Sequence, residues 1–260
     1  MSSVPVVISA NHLLAALPRN DYKRLLASCV ETELAFAEVL YRAGDLISHI
    51  YFPTTGIISL VTPVDGNHNL EVGLIGHEGM FGLPLVLAVN VASFSAVVQG
   101  AGQALRLSTP EFLCELEKST ALKQELKRYL YVVMSQIAQT AGCNRFHVVE
   151  ARLARWLLMT QDRAQSDQFH VTHVFLAYML GVRRVGITKA ANSLQNKGLI
   201  SYKRGEIKIL NRAGLEEASC ECYRTEKAIY ERILKTSAQP QEFCCSDREN
   251  FPSDTCCTSL

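Results

Sequence analysis

The sequence predicts an α+β protein with an N-terminal antiparallel β-roll of jelly-roll type, a long central helix and a C-terminal winged helix-turn-helix. Three observations carry this. Between Glu33 and Ser108, short runs rich in β-branched and aromatic residues alternate with glycine turns, as the strands of a roll or barrel do. Further on, Leu122, Leu126, Tyr129 and Val133 recur at spacings of four, three and four, which is a helical seam. From Val171 to Gly205, a short apolar helix stops at Gly181, a second opens on Arg183-Arg184, and a hairpin with a basic tip follows.

The chain has 260 residues, 48% hydrophobic and 20% charged, enough apolar mass for two cores. It contains no run of eighteen apolar residues, so no membrane span is expected. The N-terminus lacks a basic start followed by a long apolar run, and a cytoplasmic location is expected. Charge is unevenly placed. Residues 146–212 hold eleven Lys and Arg against four Asp and Glu, a surplus of +7 that leaves −6 for the remainder of a chain whose total is +1. A basic module on an acidic body fits a reader of polyanions joined to a control domain.

Taken in order, residues 12–17 read as a short helix stopped by Pro18, and residues 21–29 as another. The strand runs follow, with Asp65-Gly66-Asn67 as a hairpin turn between GIISLVTPV and NLEVGLI. Pro110 suits the first turn of a helix reaching Glu117, and Ser119 caps the next. That helix, over residues 119–142, spans about 37 Å, long for a small domain, so the seam Leu122, Leu126, Tyr129 and Val133 reads as a dimerisation face. Gly142-Cys143-Asn144 interrupts the pattern and reads as a hinge. A helix over 148–160, a polar loop over 161–168 and a short strand over 169–171 come next, and a continuous helix is expected over 215–223. The expected divisions are a sensor roll (1–118), a dimerisation helix with hinge (119–145), a winged-helix domain (146–235) and a disordered tail (236–260).

In the helix-turn-helix, Ala177 is small where two helices approach and Gly181 allows the tight turn. Ile187, Ala190, Ala191 and Leu194 form the buried stripe of the second helix, over about residues 183–196. Arg184, Val185, Thr188 and Lys189 fall on the other side, where a recognition helix meets base edges in the major groove of double-stranded DNA. Arg184 can pair bidentately with guanine, and Lys189 can reach guanine or phosphate. Arg183, Lys203 and Arg204 suit phosphate contacts, and Thr172, the cap of the first helix, and His173 complete the DNA-facing set.

The order of these parts resembles the Crp/Fnr family of transcription regulators. The likeness rests on Leu176-Ala177, Leu180-Gly181-Val182-Arg183-Arg184, Thr188, Leu194 and Gly198-Leu199-Ile200, and on His77-Glu78-Gly79-Met80-Phe81-Gly82 in the roll. It implies a homodimeric DNA-binding regulator with RNA polymerase as a further partner. Val185 stands where relatives commonly carry a glutamate that reads cytosine, so the usual half-site is not expected. The effector pocket implied by the family would involve Gly79, Phe81, Gly82, Ser93 and Ser95. The glutamate expected after Gly82 is replaced by Leu83-Pro84, and no arginine lies between Gly82 and Arg106. Serine cannot neutralise a phosphodiester as arginine does, so neither cAMP nor cGMP is expected and no cofactor is predicted. A cyclic-nucleotide-responsive regulator is the alternative.

Iron–sulfur members of the family use a cysteine cluster, often N-terminal, and Cys29 stands alone before Cys114. His49, His68 and His77 read as polar surface or satisfied core rather than haem ligands. Nine cysteines remain to be explained. Cys220 and Cys222, in a C-E-C-Y ending that resembles a subgroup of the family, would not share a face of a continuous helix. Cys244, Cys245, Cys256 and Cys257 lie in the tail at a spacing unlike ordinary zinc patterns. No bound metal is expected, and a thiol-based metal or redox sensor is the second alternative. The sequence shows no hydrolase elbow, phosphate loop or paired carboxylates, so an enzyme is not expected.

Overall fold

The computed structural model describes residues 11–64 and 69–235. Two short helices, α1 (His12–Ala15) and α2 (Arg19–Ser28), precede seven strands: β1 (Val30–Leu34), β2 (Val39–Tyr41), β3 (His49–Pro53), β4 (Ile57–Pro63), β5 (Asn69–Ile75), β6 (Ser95–Gly100) and β7 (Gly102–Ser108). They form two antiparallel sheets, ordered β1-β7-β3 and β2-β6-β4-β5. Ile50, Phe52, Ile58, Val98 and Leu107 fill the roll. β1 starts at Val30, before the first strand run expected. Its run of three polar residues, Glu31-Thr32-Glu33, hides an edge strand that pairs with β7 along its whole length. The β4–β5 pairing closes at Pro63 opposite Asn69, and the turn expected at Asp65-Gly66-Asn67 lies outside the described residues, as does His68.

Helix α3 (Thr109–Lys118) carries Pro110 in its first turn, and Ser119 caps α4 (Thr120–Phe146) by accepting from Leu122 N at 3.0 Å. Two expectations fail here. The hinge at residues 142–144 is helical, and α4 runs a further turn to Phe146. Glycine costs only about 1 kcal/mol inside a helix, and burial of Thr140 and Cys143 on the inner side holds the turn. The seam is also turned the other way. Leu122, Leu126, Tyr129 and Val133 are at most 7% exposed and belong to the core of their own β-roll. Spacing identifies one apolar face and cannot say whether a neighbouring sheet or a second chain covers it. The opposite face, with Lys127, Tyr131, Met134, Ala138 and Ala141, repeats the four-three spacing in solvent, with Tyr131 50% and Met134 61% exposed.

The second module comprises α5 (Val149–Ala164), β8 (Gln168–His170), α6 (His173–Leu180), α7 (Arg184–Asn196), β9 (Ile200–Lys203), β10 (Glu206–Ile209), α8 (Arg212–Ala218) and α9 (Cys222–Tyr230), which ends in a wider turn at Glu231–Lys235. Leu153, Leu157, Leu176, Ile187, Leu194 and Ile207 form its core beneath a small β8-β10-β9 sheet. The continuous helix expected over 215–223 is broken. Ser219 turns extended (ψ 165°), and its Oγ donates to Glu216 O at 2.8 Å, so Cys220 and Cys222 lie at a helix junction. Cys244, Cys245, Cys256 and Cys257 lie outside the described residues.

The two modules share a buried face. Ile57 and Leu74 of the roll belong to the apolar core of the second module, and Met179 of α6 packs with Val61 and Val97. Polar groups cross the same face. Arg163 Nε donates to Glu78 at 2.8 Å, Gln99 Nε2 donates to Thr160 Oγ1 at 2.8 Å, and Trp156 Nε1 donates to Glu71 at 3.0 Å. Ser59 Oγ lies 2.7 Å from both Glu71 Oε2 and Gln99 Oε1. A hydroxyl has one proton for two acceptors. A protonated Glu71 resolves this by donating to Ser59, which donates to Gln99. Burial accordingly pushes the Glu71 carboxyl up to about 8, against the pull of its Ser59 and Trp156 hydrogen bonds.

The docked state holds a proton that an exposed glutamate releases near its ordinary value of 4.5, so the Glu71 contribution to docking is present at low pH and is lost as pH rises towards and through about 8. Trp156 is the single tryptophan and reports on this face. Its emission should shift to the red as pH is raised through this range, and Glu71→Gln should flatten the response. The same titration in both proteins would contradict a protonated Glu71.

Candidate nucleic-acid interface

Thr172 caps α6 by accepting from Phe175 N at 3.1 Å, and Gly181 closes it in the left-handed conformation (φ 60°). A side chain at 181 would also meet Leu70 at 2.8 Å, so this turn lies tight against the roll. α7 buries Ile187, Ala190, Ala191 and Leu194. Arg184, Val185 and Lys189 are exposed on its other side. Arg183 occupies the N-cap with extended backbone and makes no capping bond. The positive end of the helix is therefore open, with two arginines beside it, an arrangement that suits a phosphate.

His173 joins three elements of this face. Its Nδ1 lies 3.1 Å from Thr188 Oγ1 of α7, and its ring stacks on Tyr202 of β9 at 4.5 Å. Tyr202 in turn donates to Val171 O at 3.0 Å. Burial, and then the charge of Arg184, lower the His173 pKa, which keeps the imidazole neutral. Thr188 Oγ1 also donates to Arg184 O at 3.1 Å. The Thr188 hydroxyl and His173 Nδ1 are thus committed within the protein and hold α6, α7 and the wing in register. The wing turn is Arg204-Gly205, with φ of 53° and 86°, between the paired Lys203 and Glu206. Left-handed backbone at both positions matches the twist of a two-residue hairpin. It projects Lys203 and Arg204 into solvent.

The charge surplus divides into two kinds. Arg152 donates to Leu180 O, Arg155 pairs with Glu226 at 2.7 Å, Arg163 with Glu78 at 2.8 Å and Arg212 with Asp162 at 2.7 Å. These four are structural. Arg183, Arg184, Lys189, Lys203 and Arg204 have no ion-pair partner among the described residues. The unpaired cations gather on the α7 and wing surface, where the apolar Val185, 59% exposed, lies among them.

The residues implied for a degenerate effector pocket lie at packing and turn positions. Phe81 is 4% exposed and stacks on Tyr41 at 5.1 Å, inside the roll core. Gly79 lies under Tyr129 of α4, whose hydroxyl would be 1.9 Å from an added Cβ. Gly82 is required by its φ of 115° and by Ile50, 2.4 Å from an added Cβ. Ser95 Oγ accepts from Ala43 N at 3.1 Å, and Ser93 is exposed. These residues serve packing and turns. A cleft of about 250 Å³ lies elsewhere, between the roll, α4, α5 and α9, lined by His12, His77, Glu78, Tyr129, Arg163 and Tyr230. Sequence patterning missed it because its walls come from five separated segments. Patterning also missed Cys143 and His147, which the end of α4 brings to Cys220 and Cys222.

Replacing Lys203 with Ala should weaken binding to all DNA sequences alike and reduce the salt slope by about 0.9. Arg184→Ala should cost about 1–3 kcal/mol at one base position only. Fluorescence anisotropy over a salt series reads both, and an identical uniform loss in the two variants would remove Arg184 as a base reader.

Comparison with known proteins agrees with this geometry. Residues 31–119 match the cyclic nucleotide-binding domain family, and residues 151–218 match the Crp-like helix-turn-helix domain family. A cyclic AMP receptor protein from Thermus thermophilus is 22% identical over 178 residues, 68% of this chain and 82% of that protein. The fold is similar to that of FixK2 from Bradyrhizobium japonicum (TM-score 0.64, 13% identity, 74% of this chain and 98% of that one). It is also similar to a transcriptional regulator assigned to the Crp/Fnr family from Eubacterium rectale (TM-score 0.61, 16% identity, 80% and 98%). With both domain families matched in this order, the chain belongs to the Crp/Fnr family of DNA-binding transcription regulators.

Proposed function

We propose that the chain acts as a homodimer that sets one α7 in each of two successive major grooves of a pseudo-palindromic site. The observation that carries this is the group of unpaired cations around the open N-terminus of α7 and the wing. Arg184 reads a base, Val185 offers only apolar contact, and Arg183, Lys203 and Arg204 hold phosphates. RNA polymerase is the partner through which such a dimer acts on transcription.

The dimer seam is the outer face of α4, with Tyr131, Met134, Ala138 and Ala141 at heptad spacing. The inner face is occupied, so a second copy of the chain is the partner whose own α4 offers the matching spacing. Met134→Lys should convert the dimer to a folded monomer in sedimentation velocity and weaken DNA binding. A dimer that survives both Met134→Lys and Tyr131→Lys would place the interface elsewhere.

The Thermus relative is named for cyclic AMP, but this chain has no arginine between Gly82 and Arg106 to neutralise a cyclic phosphate, and Phe81 packs on Tyr41 in the roll core. Cyclic nucleotide therefore does not set the DNA-binding state. Isothermal titration with cAMP and with cGMP should give no binding heat, and micromolar binding of either would overturn this reading.

A further inference from the structure

Cys143, His147, Cys220 and Cys222 converge from two distant parts of the chain. Cys143 lies in the last turn of α4, and His147 is its C-cap, with His147 N donating to Cys143 O at 3.1 Å. Four residues apart, they face the same side. Cys220 and Cys222 come from the break between α8 and α9, so the helical geometry that would have separated them does not apply. One ligand atom from each residue can be chosen so that all four lie within 4.8 Å of one another. Cys143 Sγ is 3.5 Å from Cys220 Sγ, and Cys222 Sγ is 3.5 Å from His147 Nδ1.

These distances discriminate between chemistries. A disulfide needs its sulfurs at about 2.05 Å. Zn–S near 2.3 Å and Zn–N near 2.0–2.1 Å place neighbouring ligand atoms of one tetrahedral ion roughly 3.3–3.8 Å apart. An iron–sulfur cluster distributes its ligands over several iron atoms and so spreads them farther than the ligands of a single ion. The two separations of 3.5 Å fit one ion, and the other ligand atoms, within 4.8 Å, need to draw in by no more than about 1 Å to complete its tetrahedron.

The surroundings are also those of a site. The three cysteines are at most 8% exposed and pack on one another, with Ala151 as the partly buried apolar neighbour, separate from both main cores. Three thiols make a poor hydrophobic core by themselves. Around them, Asn144 Nδ2, Arg152 Nε and Arg155 Nε are buried donors with no hydrogen-bond partner, and all three residues line the same small cavity as Cys143. Such N–H groups are what coordinated thiolate sulfurs accept from. Three thiolates with one divalent cation carry a net negative charge, which Arg152 and Arg155 offset.

We propose that these four residues bind one divalent ion of the zinc class in a closed Cys₃His site. The thiol protons leave to solvent as the ion enters. All four positions are filled by protein, as in structural sites, and no place is left for a reacting water. The ion ties the end of α4 to the α8–α9 junction, and so fixes the winged module to the helix that we place at the dimer seam.

Full-length protein purified under reducing conditions should contain one zinc per chain. Cobalt(II) added alone to the metal-free protein should give the intense visible bands of tetrahedral thiolate coordination. Cys220→Ser should abolish the stoichiometric metal, and His147→Ala should weaken its binding more than about 10-fold. His147 is exposed, so its replacement leaves both cores intact and keeps the test decisive if a cysteine variant fails to fold. A full-length variant with Cys244, Cys245, Cys256 and Cys257 all changed to Ser should keep its zinc. Three results would overturn the proposal: reduced protein that binds neither zinc nor cobalt, metal unaffected by both site variants, or metal lost only with the four tail cysteines.

Discussion

The structure depends on the buried face between the β-roll and the winged module. Ile57 and Leu74 are counted in the winged module's core, and Glu71, Glu78, Trp156 and Arg163 cross the boundary in partly or fully buried hydrogen bonds. Removing one partner of a buried ion pair such as Arg163–Glu78 leaves an uncompensated charge and costs about 3–5 kcal/mol. That penalty, more than the net worth of the pair, makes the docked arrangement all-or-none. A neutral Glu71 has the opposite character. It adds a hydrogen-bonded carboxyl that can be ionised, so it is the weak point of an otherwise stiff face.

Docking decides what the remaining surfaces can do. α4 gives its inner face to the roll and to α9, where Gln136 donates to Glu226 beside Arg155 of α5, and keeps an outer apolar row in solvent. α6 packs on Val61 of β4 and Val97 of β6, which leaves α7 and the wing free with their cations unpaired. His173 braces these parts so that Arg184 and Lys203 move as one unit. A signal that altered the buried face would therefore change the pose of a rigid reader, a two-state element of the kind regulation requires. The cysteine and histidine group stands at the end of this chain of contacts, where α4 meets the last helices.

Much of this was legible in the sequence. The glycine-punctuated strands gave the roll, and the spacing of Gly181, Arg183, Arg184 and the Lys203-Arg204-Gly205 tip gave the reader. What failed shares one cause, that periodicity sees a face without its neighbour. Leu126 and Tyr129 repeat as a coiled-coil seam would, yet the roll covers them, while Tyr131 and Met134 carry the same spacing outward. Arg152, Arg155 and Arg163 swelled an apparent basic surface although each is turned inward. Gly79, Phe81 and Gly82 are conspicuous in the sequence as a loop of the family, whereas their packing against Tyr129, Tyr41 and Ile50 is not readable from spacing. Cys143 and His147 gave no signal because their partners lie more than seventy positions away. The helix break at Ser219 that brings Cys220 and Cys222 to them is a local backbone choice invisible to residue spacing.

Selection of bound sequences from a random double-stranded pool tests the dimeric reader most directly. A dimer with one α7 per major groove should select an inverted repeat with half-sites about 10 base pairs apart, centre to centre, and enrichment should fade with rising salt. The pool should show a guanine preference at one position in each half that disappears with Arg184→Ala. Failure to enrich any sequence, or enrichment of a single half-site without its mate, would contradict a dimeric reader built on α7.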